Sequence, residues 1–276
     1  MRKQTWAAAP FAVWMVLFTV IPLAMVLWFA FTDASGSFTF ENIIAIGDYT
    51  ETFLKSIGVG VLSTIICLLL AYPLAFSISR KSERAQQTMV MIVMLPMWMN
   101  FLLRTYAWQS ILEDNGIINT LLRNIGILGE TQSLPLINNY GSIVLGTVYN
   151  FLPFMVLPLY SVMVKIDRSY LEAAEDLGSN GYQIFRRVIL PLSTPGIVSG
   201  ITMVFVPAVS TFVITKLLGG SLTKYIGDTI EDKFIGQSPD YHVGAALSLV
   251  LMVLILLCMA ITSRVDKDEE SGAMMV

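Results

Sequence analysis

Charge is scarce in this sequence. Of its 276 residues, 13% are Asp, Glu, Lys or Arg, against about a quarter in an ordinary soluble domain. Hydrophobic residues make up 55%, and the mean hydropathy is +0.69. So few charges, gathered between long apolar runs, describe an integral membrane protein. Cysteine is nearly absent. Cys67 and Cys258 each fall inside an apolar run and read as small buried hydrophobes rather than a disulfide or a metal pair. The one histidine, His242, stands at no metal-ligand spacing from either, so no metal site is expected. The net charge of −3 gives nothing to a nucleic-acid binder. No Gly-x-x-x-x-Gly-Lys-Ser/Thr loop is present, so the chain does not read as an ATPase, and no cluster of catalytic groups is visible. The apolar runs carry no Asp or Glu away from their ends. That argues against a proton- or sodium-coupled transporter built on buried carboxylates.

What is there is six runs, each meeting the need for about twenty apolar residues. They fall at about 6–31, 56–79, 87–108, 141–164, 196–218 and 243–263. The first is too long for a signal peptide and reads as a retained span. The expected fold is an all-α integral membrane protein, one domain over 1–276 with six transmembrane helices. The polar connection from Gln109 to Tyr140 holds Glu113, Asp114, Arg123 and Glu130, and Gly116 to Leu128 reads as a short interfacial helix. Orientation follows from Lys and Arg. With the N-terminus inside, the inner segments hold Arg2, Lys3, Arg80, Lys81, Arg84, Lys165, Arg168, Arg186, Arg187, Arg264 and Lys267. The outer side holds only Lys55, Arg104, Arg123, Lys216, Lys224 and Lys233. Both termini and the segment 165–195 are therefore expected in the cytoplasm.

That segment is the longest polar interruption with helical character. Ser169 and Glu172 have the spacing of a capping box, and Leu171, Ala174 and Leu177 then share one face. Gly178 is the expected stop. Asn180 caps a second short helix with Ile184, Phe185, Val188 and Ile189, which Pro191 ends. The reading is helix, tight turn, helix, with Ala173 and Ala174 leaving a shallow surface.

Glu172-Ala173-Ala174, with Asp176-Leu177-Gly178, Leu190-Pro191 and Pro195-Gly196-Ile197, resembles the "EAA" signature of permease subunits in binding-protein-dependent ABC importers. The resemblance implies the type I importer permease fold. It also implies that Glu172, Ala173, Ala174, Asp176, Leu177 and Gly178 form a coupling helix seated in a cleft of the ATPase. Arg186 and Arg187 suit acidic groups on that motor, and rather better the positive-inside rule. The implied partners are a second homologous permease chain, two ATPase subunits that bind ATP and magnesium, and an extracytoplasmic substrate-binding protein. The implied place is the inner membrane of a bacterium. This chain itself would carry no cofactor and make no covalent chemistry.

A pathway must be lined by groups that lipid would not tolerate. The third run supplies Trp98, Asn100, Arg104, Tyr106 and Trp108 beside Pro96; the fourth supplies Tyr149, Asn150 and Tyr160; the fifth supplies Ser210 and Thr211 near Pro207. Near span ends, Trp and Tyr also suit interfacial anchoring, and Arg104 also suits snorkelling or pairing with an outer acid. Leu95-Pro96-Met97-Trp98-Met99-Asn100 with Arg104-Thr105-Tyr106, Leu152-Pro153-Phe154-Met155 with Pro158-Leu159-Tyr160, and Leu218-Gly219-Gly220 with Ile226-Gly227 are similar to the spermidine/putrescine branch, specifically its first permease subunit. A polycation suits aromatic faces, and Asp228, Glu231, Asp232 and Asp240 in the last outer loop suit the mouth, or are simply a solvated surface. The Glu231-Asp232-Lys233 cluster departs from that branch. The same architecture carrying another small organic or metal-chelate solute is the alternative. A stand-alone secondary transporter would call for inverted repeats or buried ionisable groups, which the sequence does not offer.

Overall fold

A computed structural model describes residues 9–129, 131–220 and 223–273. Arg2, Lys3, residues 6–8 of the expected first span and Glu130 lie outside the described residues. The first span is α1 (Ala9–Met15) and α2 (Ile21–Ala30), joined by a π turn over Val16–Val20. A short helix, α3 (Glu41–Ile44), leads through one 3-10 turn into α4 (Thr50–Ser79). Then come α5 (Glu83–Met94), α6 (Phe101–Leu112), α7 (Ile117–Asn124) and α8 (Tyr140–Met163). The remainder is α9 (Arg168–Asp176), α10 (Gly181–Ile184), α11 (Leu190–Ser210), α12 (Val213–Gly219), α13 (Ile226–Ile235) and α14 (Tyr241–Ala273). Among the described residues, five helical stretches are long and apolar enough to cross a membrane, and six if the bent pair Glu83–Trp98 and Phe101–Asn124 is counted as one span.

The core is α4, α8 and α11, packed on one another around Cys67, Ala71, Ala75, Met155, Leu159 and Val204. Small residues set how closely these helices approach, as expected where lipid removes the hydrophobic drive for association. A Cβ on Gly196 of α11 would stand 3.0 Å from the Pro158 carbonyl and 3.1 Å from the Leu159 Cα. One on Gly200 would meet the Met155 sulfur at 2.5 Å. Cys67 is buried, its Sγ lying 3.8 Å from the Val148 carbonyl, and Cys258 is a free, half-buried thiol. The first span packs against α14, where His242 Nδ1 lies 3.1 Å from the Phe29 carbonyl.

The span boundaries differ from expectation in four places. The second span begins before residue 56, because α4 starts at Thr50 and its helical stretch reaches back to Glu41. The third is not one helix over 87–108. Pro96 stands in a 3-10 turn over Leu95–Trp98, Met99 is extended, and α6 leaves at 87° to the stretch before it. The fifth, expected over 196–218, runs instead from Gly181 to Ser210 and is followed by the separate α12. Helix α14 continues past residue 263, through the charged tail to Ala273.

Pro191 does not end the helix that Asn180 begins. A π turn over Phe185–Ile189 precedes it, closed by the Leu190 N–H on the Phe185 carbonyl. The widened turn gives the pyrrolidine ring room past the carbonyl four residues back, the clash that breaks an ordinary helix. The first span repeats the device: a π turn over Val16–Val20 stands directly before Ile21-Pro22.

Candidate functional site

The segment expected to dock is built as a helix pair with a fixed corner. Its cap is Asp167, not Ser169. The Asp167 backbone is extended and its carboxylate accepts the Ser169 N–H at 3.0 Å, so helix α9 starts at Arg168 and Ser169 is already inside it. The Ser169 backbone N–H, then its hydroxyl, hold the Asp167 carboxyl below the usual range. The corner is a Schellman motif. The Ser179 N–H reaches the Ala174 carbonyl at 3.0 Å, and the Gly178 N–H reaches Glu175 at 2.8 Å. Gly178 has φ +77° and open space around its would-be Cβ, so its requirement is conformational rather than steric. Asn180 and Gln183 then close a reciprocal capping box at 2.9 and 3.0 Å.

Glu172, Ala173, Asp176, Leu177 and Gly178 are exposed, and Ala174 is half-buried. Leu177 is 87% exposed, Tyr182 68% and Tyr170 59%. Three large side chains thus stand in the open on a largely polar segment. The periodicity of α9 puts Leu177 on an inward face; the turn at Gly178 instead leaves it outside. Tyr170 and Tyr182 have no sequence signal beyond their place beside the motif.

The second group gathers at the broken third span. Asn100, expected as a mid-span polar group, is the N-cap of α6: its Oδ1 accepts the N–H groups of Leu102 and Leu103 at 2.9 and 3.3 Å. An Asn four residues after a proline at the head of an apolar run is a helix-start signal. Arg104 neither snorkels nor meets an acid. It is 7% exposed, and its Nη1 donates to the Pro96 carbonyl at 2.6 Å, spanning the break. Its guanidinium lies 5.7 Å from the Tyr149 ring and 6.0 Å from Phe101. Trp108 meets Tyr149 edge-on at 5.2 Å. Asn150 donates to the Gly146 carbonyl at 2.8 Å, while its buried Oδ1 meets no partner. Arg104, Trp108 and Tyr149 therefore form one neighbourhood, whereas the Asn150 side chain bonds within its own helix. Trp98 and Tyr106 stand exposed away from it, and Tyr160 belongs to a different end, donating to Gln86 Oε1 at 3.0 Å. Ser210 closes α11 with a bond to Val206, and Thr211, extended, makes the break before α12.

The outer acids are not a loop. Glu231 and Asp232 lie on α13, and all four acids are engaged within the chain. Asp228 is buried: it accepts the Thr215 hydroxyl at 2.6 Å and the Tyr225 N–H at 3.2 Å, tying α12 to the start of α13. Burial pushes its carboxyl up to about 6, against the pull of Thr215, Tyr225 and Lys216. Glu231 pairs with Lys216; Asp232 pairs with Lys224 at 2.8 Å and Lys216 at 3.3 Å. Lys224 holds the Asp232 carboxyl below its usual range. Asp240 caps α14 through the Val243 N–H at 3.1 Å and stands 4.0 Å from Lys233. Lysines thus neutralise the charge that an open mouth would have offered a polycation.

The family model for "Binding-protein-dependent transport system inner membrane component" matches residues 71–269. The chain is 38% identical to the spermidine/putrescine transport system permease protein PotB of Haemophilus influenzae, over 92% of this chain and 91% of that one. To the PotB of Escherichia coli it is 33% identical, over 92% and 94%. In fold it is similar to a chain of a bacterial ABC transporter that imports alginate (TM-score 0.75, 17% identity, 96% of both chains). A chain of the MetNI methionine ABC transporter matches with TM-score 0.57 and 16% identity, over 79% of this chain and 94% of that one. Six apolar runs in the sequence, five or six candidate spans in the structure, the helix pair at 168–184 and a family match over most of the length converge: the chain belongs to the binding-protein-dependent transport system inner membrane components.

Proposed function

We propose that this chain is one of two homologous permease subunits of an ATP-driven importer of polyamines in the bacterial inner membrane. The observation that carries it is the 38% identity to a spermidine/putrescine permease along 92% of the chain. Both termini and residues 165–195 face the cytoplasm, as the Lys and Arg distribution favours. There Tyr170, Leu177 and Tyr182, with the Glu172–Gly178 motif, enter the cleft of an ATPase subunit. ATP and magnesium are held by two such subunits, and this chain is not an enzyme. A binding protein outside delivers the solute. The free energy of hydrolysis shifts the permease pair between two states that expose one cavity alternately.

The aromatic neighbourhood of Trp108 and Tyr149 suits an ammonium group through cation–π attraction. In this conformation Arg104 stands over the Tyr149 ring, and a second cation would reach that face once Arg104 moves aside. The test is ATP hydrolysis by the complete transporter in nanodiscs, with the binding protein loaded with spermidine, putrescine or nothing. Stimulation by a polyamine supports the reading. Stimulation only by another solute would keep the importer and remove the cargo.

A further inference from the structure

Arg80 follows α4 directly, and its guanidinium lies 5.1 Å over the Phe76 ring. Its Nε and Nη2 are shut off from solvent and meet no acceptor. Those two atoms are the donors of one edge of the guanidinium, the fork that matches two oxygens of a carboxylate or phosphate. An unsatisfied buried donor is costly, and here there are two on a cation. A second cation makes matters worse. Arg168, the first residue of α9, donates to the Arg80 carbonyl at 3.5 Å. Burial first, then Arg168, draws the Arg80 guanidinium below its ordinary value.

The surroundings are cationic. Lys81 stands exposed on the adjoining turn, Arg84 in the first turn of α5, and Lys165 on the turn before α9. Asp167 is occupied capping α9, and Glu83 stands exposed in the first turn of α5. Ser82, the cap residue of α5, makes no side-chain cap, so the twelve-residue helix opens toward this turn with its own N–H groups. The turns are held together by Gln86, which bonds the Ser79 and Lys81 carbonyls and receives Tyr160 of α8. Running down to this knot is an exposed apolar flank of α4, with Leu70 51% and Leu74 37% exposed.

We propose that this turn is a binding site for the phosphate of an anionic phospholipid, grasped by the Arg80 fork and bridged to Arg168. A phosphate between the two arginines satisfies the buried donors and cancels their repulsion. Arg168 is exposed and held to Arg80 by a long bond, so it lifts aside to admit the headgroup. The apolar flank ending at the cationic turn favours a lipid over free phosphate, because acyl chains have a surface to lie on. The leaflet, the inner one, rests on the orientation proposed above; the binding itself does not. A bound headgroup would fix the start of α9.

The test uses the complete transporter in nanodiscs of phosphatidylcholine containing phosphatidylglycerol, released into detergent and weighed by native mass spectrometry. The wild type should retain phosphatidylglycerol in preference to phosphatidylcholine. Arg80→Met should lose that preference about tenfold or more, the effect of removing a charge-assisted bidentate pair, whereas Arg84→Gln, which removes one exposed cation without touching the fork, should lose no more than about fivefold. Arg168→Gln, on an exposed position, gives a second reading if Arg80→Met fails to fold, and should lose it too. Undiminished preference in Arg168→Gln and in a folded Arg80→Met overturns the proposal. Displacement of the lipid by millimolar inorganic phosphate would overturn the lipid as the ligand. Impermeant-thiol labelling of Ser82→Cys in inside-out vesicles, with Cys67 and Cys258 replaced by Ser, reads the orientation separately.

Discussion

Arg104 Nη1 donates to the Pro96 carbonyl at 2.6 Å across a chain bend of 87°. The bond joins two residues eight apart that a continuous helix would place about 12 Å from each other along its axis. It therefore belongs to the bent form alone. Arg104→Gln removes a charged bond to a buried carbonyl and the contact with Tyr149. The expected cost is about 1–3 kcal/mol of stability, read as a lower melting temperature of the purified complex. An unchanged melting temperature would mean that the bend is held by Asn100 and Pro96 without the strap.

Gly178 separates two kinds of substitution. At φ +77°, with nothing near its Cβ position, an alanine in its place would suffer backbone strain of roughly 1–2 kcal/mol. Asparagine tolerates that region far better. Gly178→Ala should reduce substrate-stimulated ATP hydrolysis while Gly178→Asn stays near the parent. Equal loss in both would point to a steric requirement in the motor's cleft instead.

Leu177 stands almost wholly in the open, so removing it should leave the permease as stable as before. Burying it against a partner is worth roughly 1.5–3 kcal/mol. Leu177→Ala should weaken co-purification of the ATPase about tenfold or more with no change in permease folding. Retention of the ATPase at wild-type strength would place the docking energy elsewhere on the segment.

Asp228 gives a pH dependence with a definite sign. Its carboxyl titrates at about 6 when folded and about 4 when unfolded. The folded form holds the proton more tightly, so this group's contribution is greatest below about pH 4, falls through about pH 6, and is flat above. Asp228→Asn mimics the protonated form. Its melting temperature relative to the parent should rise between pH 4 and 7, by a difference worth up to about 3 kcal/mol. A difference that stays constant with pH would show that folding does not raise the Asp228 carboxyl above its unfolded value.

Gly196 and Gly200 sit on the same face of α11 and face different neighbours. The atoms nearest a new Cβ are backbone at Gly196 and the mobile thioether of Met155 at Gly200. Gly196→Ala should cost about 1–3 kcal/mol by overpacking, and Gly200→Ala less. Thermal unfolding of the two variants side by side decides it; the reverse order would contradict the packing described.

The apolar runs make the spans legible, because a membrane crossing needs length and little else. The fourth run shows it best: expected at 141–164, it forms Tyr140–Met163. What the runs hide is any break that keeps the residues apolar. Leu95–Met99 is as greasy as a span, yet Pro96 and the cap at Asn100 turn the chain there. Pro191 misleads in the opposite sense: a proline reads as a stop, and a π turn upstream makes room for it. Asp167 and Ser169 show a limit of another kind: both suit a cap, and only the backbone chooses. For the outer acids, the residue types carry charge but say nothing of pairing. Three lysines that neutralise them come from α12, the α12–α13 turn and α13 itself, and no local spacing announces such partners.

The π turn at Phe185–Ile189 has a mechanical meaning. Because the helix does not stop at Pro191, the second helix of the exposed pair and the fifth span are one piece from Gly181 to Ser210, thirty residues long. At 1.5 Å per residue that is a rod of about 45 Å, running from beside the Gly178 corner to the Thr211 break. A tilt of roughly 5° about its exposed end would carry the far tip about 4 Å, the width of a side chain, without unwinding any turn between. A small rotation imposed at the exposed pair would thus reach the Thr211 end as a displacement that grows with the length of the rod.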